Sequence, residues 1–268
     1  MELKDKVALV TGAALGYKYG GPSIGGAIAI KLAAAGAKVV VVDLNRKAGQ
    51  MTVDKIKESG GEAVFVKANV TKSKEVKAAV DFAVKKFGKL TTLVNCAASY
   101  QGKIFGTVVD TPEKDWQHVL DVNLNGYYRF AKYSIPQMLK NGGGTIVNIS
   151  SDAAFLVVPE FSVYPVTKAA INGLTRVLAV DHAPLVRTNA ICPGFVKIAN
   201  SEGRRTPEEL KKWWGSIQEN YPLKRLCSVD EIAEAALFLS SDRSSYINGE
   251  CIKVDGGYSI SDTFDYAK

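Results

Sequence analysis

Short runs of Val, Ile, Leu and Ala alternate along this chain with longer amphipathic stretches. Lys6–Thr11 (KVALVT) and Lys38–Asp43 (KVVVVD) are near-continuous apolar runs, the pattern of strands buried on both faces. Between them Ile24–Ala35 (IGGAIAIKLAAA) is long and apolar enough for a buried helix, which Gly36 closes. The alternation continues with a helix near Lys47–Ser59, a strand at Ala63–Lys67, a helix at Ser73–Phe87 and a strand at Thr92–Asn95. A long helix is expected from Pro112, capped by Thr111. A strand at Thr145–Ile149, a helix through Lys168 to about Asp181 and a strand at Thr188–Ile191 follow. A last strand, Glu250–Val254, ends in Asp255-Gly256-Gly257. Apolar strands alternating with helices specify a doubly wound, Rossmann-type α/β fold: a parallel sheet of about seven strands with helices on both faces. No linker, repeat or low-complexity run divides the chain, so residues 1–268 are expected to form one domain.

The rhythm breaks after Gly194. Thr206-Pro207-Glu208-Glu209 is a helix start, with a capping residue, a first-position proline and an acidic first turn. Leu210, Trp213, Trp214, Ile217 and Tyr221 then mark one apolar face. Such a helix either docks on the core or another subunit, or covers a substrate pocket. The segment from about 198 to 224 is accordingly a candidate lid, with Gly203 as its hinge beside Arg204-Arg205. Ser228-Val229-Asp230-Glu231 is a capping box for one more helix.

Charge and composition narrow the classes. The 34 Lys and Arg against 27 Asp and Glu leave a net +7, spread along the chain rather than clustered. That mildly favours anionic ligands and gives no nucleic-acid footprint. No run of 18 or more apolar residues appears and the first residues lack signal-peptide architecture, so a cytoplasmic protein is expected, with no membrane partner. Cys96, Cys192, Cys227 and Cys251 lack metal spacing and read as buried free thiols, and with His118 and His182 as the two histidines no metal site is expected.

Strand, glycine-containing turn, helix, strand and acidic residue, in that order, are the physical content of a dinucleotide site. Glycine lets the backbone approach a pyrophosphate, and the helix N-terminus offers N–H groups and a positive dipole end. Gly12, Ser23, Ile24 and Gly25 occupy that turn, about seven residues longer than a tight one. Ser23 can cap the helix and touch phosphate, and Lys18 can reach a phosphate or remain solvated. Asp43, ending the second strand, can accept from both ribose hydroxyls and would repel a 2′-phosphate, which favours NAD over NADP.

Ser151–Lys168 (SDAAFLVVPEFSVYPVTK) carries the other chemistry. Tyr164 and Lys168, four apart, share a helix face. An ammonium beside a phenol favours the phenolate, lowering the pKa from about 10 towards a proton-exchanging range. Ser151 can hydrogen-bond the same substrate oxygen. The same spacing also occurs on solvated helix faces, and the cofactor half decides between the two.

Together these residues resemble the short-chain dehydrogenase/reductase family, in its branch with a Tyr-x-x-x-Lys site, from Lys6 to Gly257. The matching pieces are Thr11-Gly12…Ile24-Gly25, Asp43, Leu93-Val94-Asn95-Cys96-Ala97-Ala98, Val122-Asn123, Ser151, Tyr164-Pro165-Val166-Thr167-Lys168, Asn189-Ala190-Ile191-Cys192-Pro193-Gly194 and Val254-Asp255-Gly256-Gly257. The resemblance implies catalysis by Asn123, Ser151, Tyr164 and Lys168: Tyr164 as acid/base, Ser151 orienting the substrate oxygen, Lys168 lowering the tyrosine pKa and holding the nicotinamide ribose, and Asn123 holding a relay water. It implies cofactor contacts from Gly12, Ser23, Ile24, Gly25, Asp43, Asn69, Val70, Asn95, Ala97, Pro193, Gly194 and Val196, besides Tyr164 and Lys168.

The family pattern also has departures here. Ser23 takes a glycine position, Cys96 and Ala98 stand for an amide and a glycine, Asn69 for an aspartate that contacts adenine, and Ile198 for a threonine that touches the carboxamide. The long glycine loop is similar to that of enoyl reductase relatives, whose Tyr–Lys spacing is wider. The implied activity is NAD-dependent hydride transfer between nicotinamide and a secondary alcohol or ketone of 3-oxoacyl, sugar, polyol or steroid type. An enoyl reductase or a non-catalytic nucleotide-binding regulator are the alternatives. The resemblance further implies a homotetramer paired through the helix after Asn95 and the helix carrying Tyr164, to which Val119–Leu124 and Ala169–Val180 offer apolar runs. Pocket walls are expected from Tyr100, Phe155, Leu156, Phe161, Phe195, Trp213 and Trp214.

Overall fold

A computed structural model describes residues 1–16, 23–198 and 206–261. Lys18 and the expected hinge at Gly203–Arg205 lie outside the described residues. Seven strands form one parallel sheet: β1 (Val7–Thr11), β2 (Lys38–Asp43), β3 (Glu62–Lys67), β4 (Thr92–Asn95), β5 (Gly144–Ile149), β6 (Val186–Pro193) and β7 (Cys251–Val254), in the order β3-β2-β1-β4-β5-β6-β7. The helices are α1 (Ile24–Ala34), α2 (Arg46–Glu58), α3 (Ser73–Phe87), α4 (Glu113–Leu120), α5 (Gly126–Lys140), α6 (Val163–Asp181), α7 (Pro207–Gln218) and α8 (Val229–Ser240). Alternate residues of each strand face opposite ways. Ala8, Val10, Val39 and Val41 pack with α1 and α8 on one face, while Leu9, Val40, Leu93 and Ile146 pack with α3 and α5 on the other. That two-sided burial explains why the strands read as unbroken apolar runs.

The predicted elements match within one or two residues, with one exception. Thr111 does not cap the helix after it. Its hydroxyl donates to the Thr107 carbonyl at 3.0 Å and shares a hydrogen bond with Ser162 at 2.6 Å, and Pro112 stands at the cap with no side-chain bond. The helix is also interrupted: α4 passes through one π turn, Asp121–Asn125, before α5. The predicted capping box of Ser228 with Glu231 forms, and Thr206, predicted as a capping residue, forms a second box with Glu209. Of the cysteines only Cys192 is buried; Cys96, Cys227 and Cys251 are half-buried, and all four are free thiols. Among the described residues no helix is long and apolar enough to cross a membrane, and no cluster of three or more His, Cys, Asp or Glu could hold a metal ion.

Candidate active site

The strand order changes direction between β1 and β4, and in open parallel sheets ligands bind at the carboxyl ends beside such a switch point. Here the ends of both strands are tied together, because Thr11 Oγ1 accepts from Cys96 N at 3.0 Å and Ala97 N at 3.2 Å. Gly12 follows with φ +62°, and a Cβ there would lie 2.7 Å from Ala97 Cα. A Cβ on Gly25, in the first turn of α1, would overlap the Gly12 carbonyl oxygen. Gly12 and Gly25 thus pack the start of the turn against the helix start with no room for a side chain at either position, a cradle into which backbone N–H groups can admit a pyrophosphate. Ser23 caps α1, accepting from Gly26 N at 3.0 Å and donating to Ala14 O at 2.6 Å. Both hydroxyl functions therefore serve the loop.

Asp43 ends β2 on the same edge, buried, with Oδ2 accepting from Ala14 N at 3.2 Å and Oδ1 from Asn45 N at 3.0 Å. Two main-chain bonds hold the carboxylate beside the glycine turn, where a ribose diol would lie against it. Asn69 is occupied locally: its Oδ1 accepts from Thr71 N and Thr71 Oγ1. Val70 packs against Gly126, where a Cβ would meet it at 2.9 Å. Asn95 Nδ2 donates to Asn148 Oδ1 at 3.0 Å across β4 and β5, and Asn95 Oδ1 is buried without a partner. Pro193 ends β6, Gly194 packs against Asp255 and Tyr221, and Val196 pairs with Cys227. Glycines without room for a Cβ, a positioned carboxylate and a helix N-terminus at a switch point fit a nicotinamide dinucleotide.

The four residues expected to carry proton chemistry come from three elements near that edge. Tyr164 and Lys168 are one turn apart on α6 and both are buried. Lys168 Nζ lies 5.4 Å from the Tyr164 ring centroid and donates to Ile149 O at 2.8 Å, and Tyr127 Oη donates to the same carbonyl at 3.1 Å. Ser151 follows β5 and caps the short 3-10 turn Asp152–Ala154. Its Oγ donates to Asp152 Oδ1 at 2.9 Å and accepts from Ala153 N at 3.1 Å. Asn123 sits on the π turn, fully buried, with Oδ1 accepting from Ser99 N at 2.7 Å and Nδ2 donating to Ser99 O at 3.4 Å. A π turn rotates the following residues relative to an α-helix and recurs at functional sites. Here it aims Asn123 at the connection after β4, and the side chain anchors that connection.

The electrostatics differ from the expected ones. Burial pushes the Lys168 ammonium down to about 8, with Cys96 and Cys192 acting weakly in the other direction. Burial also pushes Tyr164 well above the ordinary phenol range; the neighbouring Tyr100 adds to this, and the Ser151 hydroxyl opposes it. The net shift of the phenol is therefore upward, against the expected lowering. Both groups are taken out of water, and the ammonium spends its recorded hydrogen bond on a carbonyl rather than on the phenol. Cys96, between Thr11 and this pair, is pushed up to about 12 by burial and stays a neutral thiol.

Tyr100 is the residue the sequence left underused. Its Oη donates to Tyr164 Oη at 2.9 Å, and its ring stacks on Tyr164 at 5.0 Å between centroids. Phe161 also stacks with Tyr164, at 5.0 Å, and Phe105 with Phe161 at 5.1 Å. The signal was an aromatic five residues past a strand end, too common to single out. The other expected walls are dispersed: Phe155 is half-exposed under Lys253, Leu156 is partly buried, Phe195 meets Trp213 edge-on at 5.0 Å, and Trp214 lies beneath Lys197. Phe195 N also donates to Tyr221 Oη at 2.7 Å, tying the connection after α7 to the end of β6.

A family model described as enoyl-(acyl carrier protein) reductase matches residues 21–259. A cyclohexanol dehydrogenase of an Acinetobacter species is 36% identical over 96% of this chain and 96% of its own. The 7alpha-hydroxysteroid dehydrogenase of Escherichia coli is 36% identical over 96% of this chain and 95% of its own. Among solved structures, the aldohexose dehydrogenase of Thermoplasma acidophilum superposes with a TM-score of 0.86 at 32% identity, over 99% of this chain and 98% of that one.

Proposed function

This chain belongs to the short-chain dehydrogenase/reductase family, oxidoreductases that act on CH–OH and C=O groups of small molecules with a nicotinamide cofactor, and from that premise we propose that Tyr164 exchanges the proton of the reaction. The observation that carries the reading is the buried Tyr164–Lys168 pair, one helical turn apart and beside a cradle for a dinucleotide. The cofactor, when bound, supplies or accepts the hydride at the substrate carbon. Tyr164 handles the matching proton: it gives one to the oxygen as a ketone becomes an alcohol, and takes it back in oxidation. Its raised pKa keeps the phenol protonated at neutral pH, the form that ketone reduction consumes. Lys168, charged below about 8, steadies the phenolate left behind and is itself anchored by Ile149 O. Ser151 orients the substrate oxygen, trading its bond to Asp152 when it donates to a ketone. Asn123 holds the connection that carries Ser99 and Tyr100, with both ends of its amide bonded to the Ser99 main chain.

The substrate class we infer is a ring-borne secondary alcohol or its ketone. Support comes from the aromatic wall of Tyr100 and Phe161 and from relatives named for cyclohexanol, a hydroxysteroid and an aldohexose. The segment around α7 serves as the cover, since Trp213 and Tyr221 already meet Phe195 next to Gly194. The cofactor is NAD, because Asp43 would face a 2′-phosphate with a charge of like sign. Following NADH and NADPH absorbance with cyclohexanol, a 7α-hydroxysteroid and an aldohexose tests both statements. Asp43→Ala should narrow the preference for NAD by about tenfold, the size of one lost charge-assisted hydrogen bond. A wild-type protein that already prefers NADP sinks the cofactor assignment. The name of the matching family model and the long loop before Ser23 favour a second reading, enoyl reduction; reduction of an enoyl thioester without any ketone reduction would move the assignment there.

The assembly we infer is a homotetramer. Val119 packs inside the chain with Ile104 and Val163, so it is not an interface residue. Tyr128 on α5 and Val166, Val177 and Val180 on α6 are exposed instead, an apolar surface on the helices expected to pair. Light scattering at micromolar concentration should give four times the chain mass, and a monomer would refute the pairing.

A further inference from the structure

We propose that Tyr100 is a specificity-determining stopper: its hydroxyl donates to the Tyr164 oxygen, the acceptor place that the hydroxyl of a ring alcohol takes during turnover, and substrate binding displaces it. The proposal rests on the reading of Tyr164 as the proton-exchanging group.

The geometry leaves little alternative for an incoming oxygen. Tyr164 is 7% exposed. Two near-parallel rings stack with it, Tyr100 at 26° and Phe161 at 15°, each with centroids 5.0 Å away. Its hydroxyl is already bonded to Tyr100 at 2.9 Å. A substrate hydroxyl that donates to the same Tyr164 oxygen competes with Tyr100 for it. Phe161 is held: it pairs with Phe105 and Gly106 through the main chain, its ring stacks on Phe105, and it lies two residues before α6. Tyr100 is not held in this way. It is half-exposed, on a connection without regular structure after β4, and the fixed point of that connection is Ser99 on Asn123. Rotation of the Tyr100 side chain frees the Tyr164 hydroxyl and leaves an aromatic ring to line the opened space. A flat ring substrate would then replace the stacked tyrosine ring, and its oxygen the tyrosine hydroxyl.

The test is a double-mutant cycle on affinity. Cyclohexanol binding is measured by calorimetry on the full protein saturated with NADH, so that no turnover occurs. Tyr100→Phe keeps the ring and removes the competing hydroxyl, so binding should tighten by about two- to tenfold, the range of one neutral hydrogen bond. In a Tyr164→Phe background the same change should have no effect, because the bond it releases is already gone. In steady-state oxidation of cyclohexanol, Tyr100→Phe should lower KM with kcat held within about twofold, the signature of a ground-state contact. Equal gains in both backgrounds would mean that the pocket was simply widened, and would overturn the proposal. So would weaker or absent cyclohexanol binding in Tyr100→Phe, or a kcat reduced about tenfold at unchanged KM, which marks a proton relay instead. Tyr164→Phe protein that retains full turnover would defeat the reading of Tyr164 as acid/base while leaving the affinity cycle interpretable.

Discussion

Tyr164→Phe should lower turnover by at least about 10²-fold, the lower end for removing a general acid/base. The substitution removes one oxygen and leaves the ring that stacks with Tyr100 and Phe161, so those contacts persist. The lost hydrogen bond is the one to Tyr100, whose half-exposed side chain can turn to water. Folding should therefore be nearly unchanged, with a melting temperature within a few degrees of wild type, since the net worth of one neutral hydrogen bond is about 1 kcal/mol. Circular dichroism melting and cyclohexanol oxidation on the same preparation separate the two effects. A variant that turns over at close to the wild-type rate removes Tyr164 from the proton chemistry. A variant that loses activity together with its cooperative transition would show a structural role only.

The sheet was legible because its residues answer to local rules. A strand buried on both faces must be apolar throughout, and KVALVT and KVVVVD satisfy that condition without reference to the rest of the chain. The two capping boxes are equally local, since cap and partner lie three residues apart. The long-range contacts were not legible. Tyr100 and Tyr164 are 64 positions apart, and nothing in either neighbourhood announces the bond between their hydroxyls. The π turn at Asp121–Asn125 has no spacing signature, yet it points Asn123 at Ser99. Thr111 satisfies the rule for a helix cap and was drawn away by Ser162, a competitor 51 residues distant. The same holds for the electrostatics. Tyr164 and Lys168 being four apart correctly places them on one face, but the sign of the phenol shift depends on burial, which is decided by α5, β5 and the connection after β4 together.

Burial also fixes what Lys168 costs the fold, and Lys168→Met should expose that cost. The ammonium is fully enclosed and its pKa is pushed from the usual lysine range down to about 8. Below about 8 both the folded and the unfolded chain hold the proton, and the folded state bears the whole penalty of a buried charge. Between about 8 and about 10.4 the unfolded chain still binds the proton and the folded chain does not, so this group's contribution to stability rises with pH across that window. At neutral pH the penalty is about 1 to 3 kcal/mol. Methionine has a similar length and no charge, and the Ile149 carbonyl keeps its bond from Tyr127 Oη. The variant should therefore melt several degrees above wild type at neutral pH, with the difference shrinking as pH approaches about 10. Its turnover should fall by about 10²-fold or more, because the phenolate formed at Tyr164 loses the cation that steadies it. A residue that weakens the fold and is kept where it cannot be solvated is the trade expected of a site built for chemistry rather than stability. Melting curves of both proteins from neutral to alkaline pH decide the point. If Lys168→Met is no more stable at neutral pH, or if the gap does not close as pH rises, then Lys168 is already neutral or compensated in the folded chain, and its charge cannot be what supports Tyr164.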